Sequence, residues 1–191
     1  MRSDSREGDT MSTMFAEAPL TANHSLFFAV RPAEEERARI GDLIASLRIG
    51  GVPMRLDRLH ITTLSLVLND MLPDGLAQEA AEIAASIRMP AFRVIFDRLV
   101  GGNRSALLLP SEPLEALRMF RERLGFALMR AGIAFEQGGR FSPHVTLLYG
   151  GQPMPEIEIE PISWLVEDFV LIDSFIGETK HVEVGRWPLR S

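Results

Sequence analysis

The sequence contains no cysteine. That absence excludes disulfide bridges, thiolate metal sites and a thiol nucleophile, and it argues against an oxidising compartment. The cytoplasm is the expected location. No apolar run approaches the roughly 18 residues needed to cross a bilayer, and the opening MRSDSREGDTMSTMFAEAP is too polar for the apolar region of a signal peptide. No membrane partner is therefore expected. Excess positive charge is missing too: 20 Lys and Arg against 26 Asp and Glu give a formal net charge of -6. Wrapping a long nucleic acid requires many cations set against phosphates, so that mode, DNA included, is disfavoured. A few arginines in a pocket still suffice for one small phosphorylated ligand.

Other signatures are absent. Gly-Gly occurs at 50, 101, 138 and 150, but never within G-x-x-x-x-G-K or G-x-G-x-x-G, so no glycine-rich nucleotide loop is indicated. There is no H-E-x-x-H, and the four histidines offer no zinc set with an evident third ligand. No metal or other cofactor is expected.

What the chain does have is 191 residues with 46% hydrophobic content, enough for one large domain or two fused lobes. Residues 1–21 mix Ser, Asp, Arg, Glu and Gly without a period and read as a disordered tail. Residues 22–191 read as a single folded domain. SLFFAV (Ser25 to Val30) predicts a buried strand, followed by a helix with Pro32 in its first turn, Glu34, Glu35 and Glu36 at its positive end, and a stripe of Ile40, Leu43, Ile44 and Leu47. A strand from about Leu59 to Leu68, a turn through Asn69, Asp70, Pro73 and Gly75, and a helix from Leu76 come next. Phe92 to Val100 alternates with period two and forms a hairpin with SALLLP through GGN. A long helix follows, with Ser111 as its N-cap and Gly132 as its stop. After a further strand, FSPHVTLLYGG, the acidic stretch QPMPEIEIEP reads as a connector, and WLVEDFVLIDS and KHVEVGRWPL as two neighbouring closing strands. Helices interleave with strands, yet hairpin signals are too frequent for an all-parallel sheet. The fold class is α+β.

One pattern recurs. RLHITTLSL and SPHVTLLYG each carry His-x-Thr on a predicted strand preceded by a helix. Alternation along a strand sends positions i and i+2 to one face, so His60 stands beside Thr62 and His144 beside Thr146, with Leu64 and Leu148 continuing those faces. Two such faces meeting across a groove would bring two imidazoles and two hydroxyls to one ligand. Histidine gives or takes a proton near neutrality. A pair performs both halves of general acid–base catalysis, one imidazole taking a proton from the attacking oxygen and the other giving one to the leaving oxygen. The hydroxyls are suited to non-bridging phosphate oxygens.

The two boxes in this order resemble the 2H phosphoesterases, and within them the bacterial LigT-like RNA 2',3'-cyclic phosphodiesterases, or 2'-5' RNA ligases. The resemblance runs from about Leu26 to Leu189 and includes SLFFAV, SALLLPSEPLEALRMF, FVLIDSFIG and VEVGRWPL. It implies a bilobal fold of two similar lobes, each with an antiparallel sheet and flanking helices, around an active-site groove. It further implies metal-independent opening of 2',3'-cyclic phosphates or reversible 2'-5' phosphodiester formation, with RNA ends or cyclic nucleotides as substrate and His60, Thr62, His144 and Thr146 as catalytic residues. His144 is assigned as base and His60 as acid. The second box departs from the family's H-x-T-L-x-R at Tyr149, and the first has Thr63 where leucine is usual.

Around the boxes, Arg55, Arg58 and Arg140 are candidates to reach a phosphate, and Phe27 and Tyr149 to stack a base. His24 and His181 have no partner motif and read as surface residues. Two alternatives stay open: a non-catalytic binding protein for phosphorylated or nucleotide ligands on the same scaffold, and a hydrolase of a non-RNA phosphoester.

Overall fold

The computed structural model describes residues 24–66, 72–102, 104–137, 141–175 and 180–191. The expected tail at 1–21, the end of the first box strand beyond Leu66, the turn residues Asn69 and Asp70, the hairpin residue Asn103 and the candidate Arg140 lie outside them. Among the described residues no helix is long and apolar enough to cross a membrane.

The described residues form nine strands and three α-helices, with a single 3-10 turn at Leu56–Arg58, in the order β1 (His24–Val30), α1 (Glu34–Ser46), β2 (Val52–Pro53), β3 (Ile61–Ser65), α2 (Leu76–Ala85), β4 (Phe92–Gly101), β5 (Ser105–Leu109), α3 (Glu115–Arg130), β6 (Val145–Tyr149), β7 (Met154–Val166), β8 (Asp168–Phe175) and β9 (Lys180–Pro188). They build two antiparallel sheets, β3-β1-β8-β9 and β2-β6-β5-β4-β7. The fold is thus α+β and two-lobed. Each box strand is joined through a helix to the strand it pairs with: β1 leads through α1 to β3, and β5 through α3 to β6. This duplicated strand–helix–strand unit is the local reason that the boxes occupy equivalent places.

The lobes interlock. Helix α1 follows a strand of the first sheet yet packs on β6 and β7 of the second, and β2, which precedes the first box, forms the second sheet's edge. Helix α3 contacts β3 and β4, one strand from each sheet. Leu26, Phe28 and Val30 of β1 therefore share one continuous hydrophobic cluster with Val94, Phe96 and Val145 of the other sheet and with Leu117, Phe120 and Leu124 of α3. Burial of this apolar surface, at about 25 cal/mol per Å², is what holds the lobes together.

Three expectations are corrected. The acidic connector is the first half of β7, which alternates Glu156, Ile157, Glu158 and Ile159 on a sheet edge where Pro155 and Pro161 remove no needed ladder bond. WLVEDFVLIDS is not one strand: Trp164 to Val166 closes β7 in the second sheet, and after Glu167 alone the chain enters β8 in the first. Ser111 is not the N-cap of α3, which begins at Glu115; its backbone N–H and hydroxyl both donate to the Asp97 carboxylate, at 2.8 and 2.6 Å. The stop at Gly132 holds, with a φ of 78° that suits glycine.

Candidate active site

Both boxes share an irregularity that alternation alone does not reveal. In the β1–β3 pairing Ala29 faces Thr62 but Phe28 faces Leu64, so Thr63 is an extra residue. In the β5–β6 pairing Leu107 faces Thr146 but Ala106 faces Leu148, so Leu147 is extra at the same place in the motif. A bulge resets the side-chain alternation beyond it. Leu64 and Leu148 consequently turn into the core rather than continuing the His-x-Thr faces, and Ser65 and Tyr149 return to those faces. Thr63, on the core face with Ile61, donates its hydroxyl to the Phe28 carbonyl at 3.0 Å. Its departure from leucine thus leaves no unmet polar group.

The histidines are held alike. Each ring lies just ahead of its strand, and each Nδ1 is bound to the carbonyl two residues back: His60 to Arg58 at 2.6 Å, His144 to Ser142 at 2.9 Å. A carbonyl only accepts, so Nδ1 carries the hydrogen in both, and Nε2 is left to take or release a proton.

Their surroundings differ. The His60 ring stacks on Phe27 with centroids 5.1 Å apart, and His181 stands edge-on to both, 5.9 Å from His60 and 6.0 Å from Phe27. Beneath lies a small separate cluster of Phe27, Ala29, Val170 and Ile172. Burial in this setting pushes the His60 pKa down to about 4, opposed by its bond to the Arg58 carbonyl and reinforced by any proton on His181 and by the Arg31 guanidinium. A proton on His144 would disfavour one on His60 as well.

The other candidates fare differently. Phe27 is only 6% exposed with its ring occupied by His60, so it supports an imidazole and offers no open face to a base. Tyr149 is 57% exposed, at the outer end of the face that carries Thr146. Arg58 is half-buried, and its charge acts on His181. Arg55 is exposed and engaged by Asp57 at 2.9 and 3.0 Å, outside the histidine cluster.

Sequence reasoning missed three residues. His181, expected at the surface, is half-buried against His60, with its Nδ1 buried and unpartnered among the described residues. Burial and the nearby Arg58 and Arg31 lower its pKa. Arg31, at the end of β1, donates to Glu183 at 2.9 Å and is near enough to bias both rings. His24 is bound to Asp173 at 2.8 Å rather than standing free. The alternation of His181 with Glu183 along β9 was the only available signal, and it does not identify a ring partner.

Comparison with known proteins follows from this geometry. The family described as the 2'-5' RNA ligase superfamily matches residues 32–174. A crystal structure of a phosphoesterase is 27% identical, covers 88% of this chain and 100% of its own, and superposes with a TM-score of 0.72. E. coli LigT complexed with 3'-AMP is 26% identical over 88% of this chain and 99% of its own, with a TM-score of 0.74. A Thermus thermophilus protein, at 23% identity, 87% and 98% coverage and a TM-score of 0.70, shares the fold. No curated protein sequence matches.

Proposed function

The chain belongs to the 2'-5' RNA ligase superfamily and is a LigT-like 2H phosphoesterase acting on phosphodiester bonds; from that premise we propose that it opens 2',3'-cyclic phosphates at RNA ends or on nucleotides. The observation that carries this reading is the matched pair of imidazoles, each just ahead of a bulged strand of a different sheet and each with Nδ1 tied to a carbonyl. In-line displacement at phosphorus needs a base and an acid on opposite sides of the phosphoryl group, and two facing lobes suit that requirement. The complex of E. coli LigT with 3'-AMP, a product-like nucleotide, favours a nucleotide as the substrate class.

The roles follow from burial. His60, neutral well above pH 4, is the form that accepts a proton, so it acts as base toward water, and His144 acts as acid toward the ribose oxygen. This polarity is opposite to the one carried over from the resemblance. Water's oxygen bonds to phosphorus as its proton passes to Nε2 of His60. The phosphorus–oxygen bond to one ribose carbon breaks as that oxygen takes the proton from Nε2 of His144. The Thr62 and Thr146 hydroxyls hold the non-bridging oxygens, with the charges of Arg31 and Arg58 nearby.

The test is incubation of the purified protein with 2',3'-cyclic mononucleotides and with a short RNA ending in a cyclic phosphate, followed by phosphorus NMR. Ring opening is expected, and His60→Ala and His144→Ala should each reduce turnover about 10²- to 10⁴-fold. Full activity in both variants would refute the mechanism, and binding without opening would mark a non-catalytic binder.

A further inference from the structure

Beside His144 lies a cleft of about 490 Å³ that the reaction scheme leaves unused. Its position follows from the β5–β6 register. Leu107 pairs with Thr146 and Leu108 with Val145, so the next residue, Leu109, stands next to His144 and lines the cleft. On the opposite side the cleft is walled by Phe141, Ser142 and Pro143, the run that leads into His144 and includes the carbonyl that holds its ring. The cleft therefore opens on the acid side of the site.

Its chemistry points away from phosphate. The floor is made of half-buried apolar groups, Leu109, Pro110, Leu114, Phe141 and Pro143. The rim carries Glu112 and Glu115, while its one cation, Arg118, is already bound by Glu115 and Glu122. An anion would meet net negative charge there. A flat, uncharged group with N–H donors would meet apolar groups, the face of Phe141 that Arg121 does not cover, and the open carboxylate of Glu112. The rim is also preorganised, since Asp97 takes both the N–H and the hydroxyl of Ser111. The volume and the apolar lining with few polar groups match a small-molecule site, for which about 300–1,000 Å³ is typical.

The geometry points to this cleft as a nucleobase subsite, which seats the base of the ribose whose oxygen leaves beside His144 and prefers bases bearing an exocyclic amine. The inference rests on the phosphodiesterase reading. It deepens that reading by making the protein selective for nucleotides over base-free sugar phosphates, through Phe141 and the prolines, and for adenine or cytosine over uracil, through Glu112.

Two variants and two kinds of ligand test it. Leu114→Trp fills the cleft, and Glu112→Gln removes one acceptor charge at an exposed position. Base stacking is worth about 1–3 kcal/mol, so Leu114→Trp should reduce kcat/KM for 2',3'-cyclic AMP about 5- to 150-fold while leaving a methyl riboside 2',3'-cyclic phosphate unaffected. Glu112→Gln should cost about 3- to 10-fold for the adenine and cytosine substrates and nothing for uracil. Unphosphorylated adenosine, titrated into the protein and followed by amide NMR, should shift residues 109–115 and 141–143, and Leu114→Trp should abolish those shifts. Equal losses on base-bearing and base-free substrates, or turnover without adenosine shifts at this cleft, would overturn the subsite and leave the phosphodiesterase standing. Adenosine shifts without turnover would support the subsite and refute the phosphodiesterase.

Discussion

The depressed proton affinity of His60 makes the fold itself sensitive to acid. In an unfolded chain an imidazole takes its proton near pH 6.5, whereas His60 in the fold refuses it until about pH 4. Across that window the unfolded state binds more protons, so stability falls as pH drops through it and levels off below it. The separation of about 2.5 pH units corresponds to a ceiling of about 3 kcal/mol, most of it reached by pH 4.5. Carboxylates titrate in the same range, so the decisive quantity is a difference between two proteins. Urea unfolding, followed by the fluorescence of the buried Trp164, would be measured at pH 7.5 and pH 4.5 in the wild type and in His60→Gln. The wild type should lose about 2–3 kcal/mol more than the variant over that interval. Identical losses would refute the account of a buried, neutral His60, and with it the assignment of base and acid. The groups around this ring are Phe27 on β1, His181 on β9, the Arg58 carbonyl at its Nδ1, and Arg31 just past β1. None supplies a negative charge that would restore the proton.

Other outcomes follow from the same packing. His181→Ala should admit water to His60 and raise its titration midpoint toward 6.5, whereas His181→Phe should leave it low; a two-dimensional NMR titration of the imidazole Cε1–H signals reads this directly. Thr63→Val should cost about 1–3 kcal/mol by stranding the Phe28 carbonyl, measured as a lower urea midpoint, with kcat changed little because the residue points away from the groove. Thr146→Val, which removes the hydroxyl proposed to hold a phosphate oxygen, should depress kcat while changing stability by no more than about 1 kcal/mol. Ring opening should continue with a chelator present, since side chains account for both proton transfers.

The sequence announced the pair of boxes because His-x-Thr is repeated and because each copy lies on a strand after a helix, which is local information. It did not announce the bulges at Thr63 and Leu147. Those depend on pairing with β1 and β5, and they are why Leu64 and Leu148 face the core instead of the groove. His181 was illegible for a similar reason: its partner ring, His60, is distant in the chain and met only through the order β3-β1-β8-β9. The first half of β7 was obscured by Pro155 and Pro161, which read as breakers until the strand is known to be an edge. Glu167 gave no sign of the change of sheet, because strand propensity continues on either side of it.

Helix α1 leaves one sheet to lie upon the other, and a single apolar mass runs beneath both. Such a body works as a fixed calliper rather than a clamshell: its jaws are set when the chain folds, and opening them would mean tearing the shared interior. A guest must already match the gauge. The spacing between the two sheets is thus set by the interior they share, before any ligand arrives.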